Sequence, residues 1–551
     1  MLDVKPSNAS VPEQTRRVAH AAFPQGNLYI WLRDELGEIY QDEDFADLYS
    51  SQGQPGISAG QLALVSVMQF LEDLPDRQAA DAVRGRIDWK YALGLELEDS
   101  GFDHTVLSEF RNRLREGEAG ERFLNELLRQ LKEAGWIKDR AKQRSDSTHV
   151  LGALRELNRL EAVGEMLRAT LNEIATIAPE WLQSWVEPAW FERYGKAIDD
   201  YHLPKQRAER TAYGEQIGRD GMKLLEYLWQ EGTPEGLRRL PKVEQLRQYW
   251  VYQYYMDQGQ IKLRPVDEMP LSGERLSSPH ERDARVGTKR SESWTGYKVH
   301  VSETCESDQV HLITHVVTTQ AQVQDVEQTA IIHQALAQKS LLPSQHFVDA
   351  GYVDADLLVS SQQDYGVELI GPVRADTSWQ AQQENAYDLS QFVIDWDHQQ
   401  VICPEGHPSR IWRERQDRRR DTPIITVEFA QPICRDCPVR ELCTRSPTAA
   451  RTLTLQPQAQ QQALQQAREQ QALQPWWDHY GLRSGIEGTI SQAVVGFGIR
   501  QSRYRGLAKT HLQHVMTATA INLKRLFAWV QGIPLARTRV SPFAALNPVP
   551  S

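Results

Sequence analysis

After Glu487 the chain has no further Asp or Glu in its remaining sixty-four residues. Arg and Lys do not stop there: Pro475 to Val540 holds nine of them against Asp478 and Glu487 alone. This local excess of positive charge sits in a chain whose net charge is −12. Whole-chain acidity therefore excludes nothing about nucleic acid, because a local patch is what binds phosphates. Long apolar runs are also missing. No stretch of eighteen consecutive apolar residues occurs, so no membrane-crossing helix is expected. The opening MLDVKPSNASVPEQTRR lacks the apolar core of a secretory signal. Five cysteines in 551 residues are too few for a disulfide scaffold. These absences point to the cytoplasm. The chain has no convincing internal repeat, and its length suits two to four domains.

What is present changes texture along the chain. From Gln61, LALVSVMQFLEDLPDRQAADAVRGRIDWKYALGL reads as short helices cut by Pro75 and Gly85. DHTVLSEFRNRLREGEAGERFLNELLRQLKEAGWI adds two more, with Asp103 or Thr105 as caps. A helical domain over residues 1–138 is the expectation. Its basic edge, Arg111, Arg113 and Arg115, suits DNA phosphates or a solvated helix face, since seven acids lie between His104 and Arg144. A helical stretch is expected again from Leu151 to about Gln260. YKVHVSETC, VHLITHVVTT, QHFVDAG and VELIGPV then read as strands, with DVEQTAIIHQALAQ a helix capped by Asp325. That is a mixed α/β pattern. Residues 375–455 are polar, strand-prone and hold four of the five cysteines. The ten Gln from Gln456 to Gln474 are interleaved with Ala, Leu and Arg, which predicts a helix.

Three acids stand out by position. Asp146 lies in RSDSTHV, Asp349 ends the short apolar HFVD with Gly351 to let the chain turn, and Glu487 falls on a predicted helix. Arg483 and Tyr480 precede Glu487 by one and two helical turns, on one face. Singly, each acid has a structural reading: a cap, a turn residue, an ion-pair partner of Arg483. Together, two strand-borne aspartates and a helix-borne glutamate could hold two divalent cations. Such a pair suits phosphodiester displacement, and oxygen-only ligands suit Mg2+ or Mn2+.

SDSTHVLGALRELNRLEAV, HFVDAGY and YGLRSGIEGTISQAV resemble the stretches around the catalytic acids of bacterial insertion-sequence DDE transposases, in particular the insertion-sequence eleven-eighty-two group. The last resembles the Tyr-x2-Arg-x3-Glu pattern of the related insertion-sequence-four superfamily. YSSQGQPGISAGQLALVSVMQFLEDL and its continuation to LSEFRNRL resemble the helical domain that precedes the core in these enzymes. The resemblance implies an α/β, ribonuclease-H-like core with Asp146, Asp349 and Glu487 as catalytic, Mg2+-binding acids. Asp283 in ERDARVGTK is a rival for the first acid. It implies phosphate contacts from Tyr480, Arg483, Arg500, Arg503, Arg505 and Lys509. The superfamily pattern carries Lys seven residues after the Glu, where this chain has Val494, so that role would pass to Arg500, Arg503 or Arg505. The implied domains are a first part of the core over 139–374 with a helical insertion at 151–280, a β-rich insertion at 375–455, catalytic helices at 456–530 and a tail at 531–551. The implied partners are the inverted-repeat ends of an element and target DNA, met as a homodimer or higher oligomer in the nucleoid, with no membrane. Two rivals are a domesticated DNA-binding protein that no longer cuts and a nuclease without strand transfer. Under the transposase reading a lone glutamate is tolerated among arginines because its partner is a metal ion.

The remaining cysteines form a second pattern. Cys403, then Cys434-x2-Cys437-x5-Cys443, fits a tetrahedral structural Zn2+ site, with His407 as a substitute ligand. An iron–sulfur cluster or ordinary buried thiols are the alternatives. Cys305 reads as a core residue.

Overall fold

The computed structural model describes residues 10–534, apart from 51, 53–55, 154–157, 199–202, 271–273, 277, 290–291, 384 and 418–421. Most of the expected tail, from 535 on, lies outside them. The first part is helical: Glu13–Ala22, Ala59–Leu71, Asp76–Gly85, Ile87–Ala92, Thr105–Glu116 and Arg122–Glu133 are joined by shorter turns. Ala59–Leu71 is apolar nearly all round and is buried nearly all round, as such a helix must be. Ser58 starts it by accepting from the Gln61 N–H at 3.1 Å. The expected basic edge does not form as one. Arg111 is buried, paired with Asp76 and stacked 5.3 Å from the Tyr504 ring. Arg113 is exposed but lies over the Tyr49 ring at 4.9 Å, and exposed Arg115 pairs with its neighbour Glu116.

Strand β1 (Gln143–Leu151) opens the α/β part. An excursion follows, with helices Arg159–Ile177, Pro179–Gln183, Pro188–Tyr194, Arg207–Leu228 and Pro241–Gln253 around their own core of Leu167, Leu224, Trp190 and Trp250. The helical expectation fails at its end, where β2 (Tyr254–Asp257) and β3 (Gln260–Leu263) make a hairpin. Gln258 and Gly259 sit between them at φ 46° and 79°. Two central residues at positive φ reverse the chain as a hairpin turn does, which a hydrophobic pattern does not report.

The sheet then resumes with β4 (Arg285–Lys289), β5 (Glu292–Thr304), β6 (Ile313–Gln320), β7 (Gln345–Phe347) and β8 (Glu368–Ile370). Helices Val326–Gln338 and Ala355–Tyr365 separate the last strands. Six strands make one sheet in the order β4-β5-β1-β7-β8, with β6 also on β5. β5 runs antiparallel to β1, β4 and β6, whereas β1, β7 and β8 are mutually parallel. The inner part of β5 is buried on both faces, as expected of a strand with helices above and below.

β9 (Val393–Asp395) pairs with β10 (Gln400–Ile402), and β11 (Ile411–Gln416), β12 (Pro423–Glu428) and β13 (Thr452–Leu455) form a small sheet of their own. Its core is seven buried side chains, among them Phe392, Val427 and Leu455. The Gln-rich stretch is a helix, Gln458–Gln471. After it come Gln474–Tyr480, a tight turn at Gly481–Ser484, the helix Gly485–Phe497 and the long helix Leu507–Val530. The long helix packs on both β6 and Ala59–Leu71, so the N-terminal helices and the sheet share one continuous core. Asn522 fastens it to the sheet, donating to the Ile313 carbonyl at 2.8 Å and accepting from the Ile313 N–H at 2.7 Å. No helix among the described residues is long and apolar enough to cross a membrane.

Candidate active site

Asp146 and Asp349 are brought together by strand register. Parallel β1 and β7 pair Gln143 with His346 and Arg144 with Phe347. Two residues further on, Asp146 lies alongside Asp349, which has just left β7. Asp349 accepts from the Gly351 N–H at 2.7 Å and starts the tight turn Ala350–Tyr352. Asp146 is 8% exposed and accepts from the Ser147 N–H at 2.7 Å. Burial pushes its carboxyl above the ordinary range, and the Asp349 charge adds to this, while Arg483, the Ser147 N–H and Lys289 oppose it. Two carboxylates crowded at the end of parallel strands favour a bound cation.

Glu487 arrives on the helix Gly485–Phe497. Arg483 joins it to the strands: Nη2 lies 2.5 Å from Asp146 Oδ2 and Nη1 lies 2.9 Å from Glu487 Oε1. All three acids act electrostatically on both Arg483 and Tyr480. The Tyr480 hydroxyl is pushed up to about 12, mainly by burial. Its ring stacks on Trp476 at 5.0 Å. Two positive side chains absent from the sequence reading, Lys289 and Lys298, also face this end of the sheet. Lys298 donates to Asp325 Oδ1 at 2.9 Å.

Asp325 is corrected. It precedes the helix Val326–Gln338 but makes no capping hydrogen bond. Its carboxylate turns to Lys298 and to the Ser147 hydroxyl, 3.2 Å away, because a half-buried lysine is a stronger partner than a backbone N–H. Asp283, the rival first acid, accepts from the Leu507 N–H at 3.0 Å, and Glu281 accepts from the Gly506 N–H at 2.6 Å. Both serve the start of the last helix, whose free N–H groups attract carboxylates.

The basic strip divides. Arg503 pairs with Asp73, lies 4.7 Å from the Phe70 ring and donates to the Leu74 carbonyl. It is thus a tie to the N-terminal helices rather than an open cation, a correction that charge counting could not supply. Arg525 is also turned inward, onto Glu303. Arg505 is exposed, Lys509 is half-exposed, and half-buried Arg500 donates to the Thr148 hydroxyl at 2.8 Å. Val494 packs against the core.

Cys403, Cys434, Cys437 and Cys443, with His407, line one cavity beside the small sheet. The His407 N–H points at Cys403 Sγ from 3.4 Å. Four sulfurs facing one space are a fitting donor set for a thiophilic metal, although no three His, Cys, Asp or Glu side chains among the described residues are drawn in to ligating distance. Cys305 is buried, as expected of a core residue.

Residues 402–527 match the family described as Transposase DDE domain, and residues 18–113 match the Transposase domain (DUF772). The first match takes in the cysteine-bearing sheet, Arg483, Glu487 and most of the last helix; the second takes in the N-terminal helices as far as most of Thr105–Glu116. No curated protein matches the chain.

Proposed function

Because this chain is a DDE transposase of the bacterial insertion-sequence kind, a polynucleotidyl transferase and endonuclease, we propose that Asp146, Asp349 and Glu487 are its catalytic acids. One observation carries the assignment: the β1–β7 register sets Asp146 beside Asp349, and Arg483 spans from Asp146 to Glu487. The strand order, with β5 antiparallel among otherwise parallel neighbours, supports a ribonuclease-H-like core carrying two insertions, at 151–280 and 375–455.

Enzymes of this class use divalent metal. The three carboxylates offer only oxygen, which suits Mg2+ or Mn2+. When bound, such ions activate a water or a 3′-hydroxyl and stabilise the leaving oxygen of an in-line displacement. The chain's own residues do the rest. Arg483 holds Asp146 and Glu487 within reach of each other, and Tyr480, braced by Trp476, closes that side of the site. Arg500, Arg505 and Lys509 line the approach and neutralise backbone phosphates without reading bases. Cys403, Cys434, Cys437 and Cys443, which line one cavity, would hold a structural Zn2+ that ties the β-rich insertion together and takes no part in the chemistry. Terminal inverted repeats are bound by a dimer or larger assembly in the nucleoid, cut, and joined to target DNA.

The experiment is incubation with DNA carrying the flanking inverted repeats, with and without Mg2+. Nicking and joining should need the metal. Asp146→Ala, Asp349→Ala and Glu487→Ala should each abolish both while end binding persists. Cutting by the Asp146→Ala protein together with loss in Asp283→Ala would move the first acid to Asp283.

A further inference from the structure

Behind the three acids lies a charge cluster that takes no part in the reading above. Glu303, on β5, is completely buried and is clasped by two arginines. Arg144 donates from Nε to Glu303 Oε1 at 2.7 Å. Arg525, on the last helix, donates from Nη1 to Glu303 Oε2 at 2.7 Å. The Thr489 hydroxyl donates to the same Oε2 at 2.5 Å and accepts from Arg525 Nη2 at 2.6 Å. The two arginines hold the Glu303 carboxyl below the ordinary range despite burial that pushes it up.

Each arm ends next to a catalytic position. Arg144 precedes Asp146 by two residues, so both side chains leave the same face of β1. Arg144 Nη1 donates to the Leu482 carbonyl at 2.7 Å, immediately before Arg483. Thr489 stands two residues after Glu487 and is buried, while Glu487 faces outward from the same helix. Arg525 also reaches Gln492 of that helix at 2.8 Å. One buried carboxylate therefore ties the Asp146 strand, the turn carrying Arg483 and the helix carrying Glu487 to one point.

Stability alone is a poor reason for such a cluster. A buried Arg–Glu–Arg group is commonly matched or bettered by apolar side chains of similar size. What it provides and apolar packing does not is a fixed direction for each arm, since charge-assisted hydrogen bonds are directional. We propose that Glu303 is a positioning residue for metal capture, setting the separation of Glu487 from Asp146 through Thr489 and Arg144. The inference rests on the assignment of those two acids.

The test uses the full chain and Mn2+, followed by the metal-induced rise in melting temperature and by Mn2+ resonance spectra, beside the Mg2+ dependence of end nicking. Three variants are compared: Thr489→Val, which removes one hydroxyl; Glu303→Gln; and a triple apolar variant, Arg144→Met, Glu303→Leu and Arg525→Met. Partners that orient metal ligands typically cost about 10–100-fold in metal affinity when lost. The Mn2+ midpoint should rise about tenfold or more in Glu303→Gln and severalfold in Thr489→Val, with end-DNA binding unchanged. The triple variant should recover melting temperature without recovering Mn2+ affinity. Wild-type Mn2+ midpoints in a folded Thr489→Val or Glu303→Gln protein overturn the proposal. So does a triple variant in which stability and metal affinity return together. If the unaltered protein binds Mn2+ no better than the Asp349→Ala protein, the acid assignment itself has failed, which the same titration reveals before any Glu303 variant is made.

Discussion

Replacing Gly485 by alanine adds one methyl group at the start of the Glu487 helix, and the surroundings decide its sign. Alanine in a helix is favoured over glycine by about 1 kcal/mol. At Gly485, however, a Cβ would stand 2.0 Å from Arg144 Nη1 and 2.3 Å from its Cζ. An arginine tip is normally free to step aside. This one is 7% exposed and holds both Glu303 and the Leu482 carbonyl. Moving it breaks one arm of a buried ion cluster, for which about 3–5 kcal/mol is typical. The low end applies because Arg525 keeps its hold on Glu303. The net is a loss of about 2 kcal/mol. Gly488 is the control, in the same helix with nothing within 4 Å of its added Cβ. Gly488→Ala should gain about 1 kcal/mol. Urea midpoints of the two variants, read by circular dichroism, should move in opposite directions. If Gly485→Ala stabilises as Gly488→Ala does, Arg144 does not lie against that glycine and the account of the cluster is wrong.

Acid should loosen the core. Burial lowers His300, His315 and His514 to about 3 and His333 to about 4, all from 6.5. The unfolded chain therefore takes up these protons first, and stability should fall as pH drops from about 6.5 toward 3. Glu121 is held at about 2, because His511, Lys339 and His315 outweigh its burial; the stability it adds above 4.5 should fade as pH falls toward 2. Denaturant midpoints across pH 3–8 check both, and a flat profile below pH 6 refutes them. Arg505→Ala and Lys509→Ala should weaken binding to any DNA and shallow its salt dependence by about one unit of slope or less each. Arg503→Ala should instead lower the melting temperature, since its partners are Asp73 and Phe70. Asp283→Ala should cost about 1 kcal/mol through the last helix and leave Mg2+-dependent nicking intact. Cys437→Ser should lower zinc measured by elemental analysis and open residues 400–450 to protease; iron with sulfide, or no metal, would refute the zinc reading.

Local pattern carried much of this protein in its sequence. Alternation in YKVHVSETC and the β-branched run VHLITHVVTT mark β5 and β6, because β-branched side chains suit a pleated, buried strand. Propensity alone makes the Gln-rich segment a helix, and the three acids were visible as outliers in their settings. The hairpin at 254–263 was not visible, since strands of only four residues, with Tyr254 alone buried, leave no periodic trace and depend on the turn between them. Pairing was decided only in three dimensions. Asp146 and Asp349 lie about two hundred residues apart in the chain and meet through the register of two short parallel strands. The charge census could not say which cations face out. Arg111, Arg503 and Arg525 look like Arg505 in the sequence, yet each finds a carboxylate or a ring inside the fold. A charge is a property of a residue, whereas its availability to DNA depends on neighbours that only the packing of the last helix against both sheet and N-terminal helices supplies.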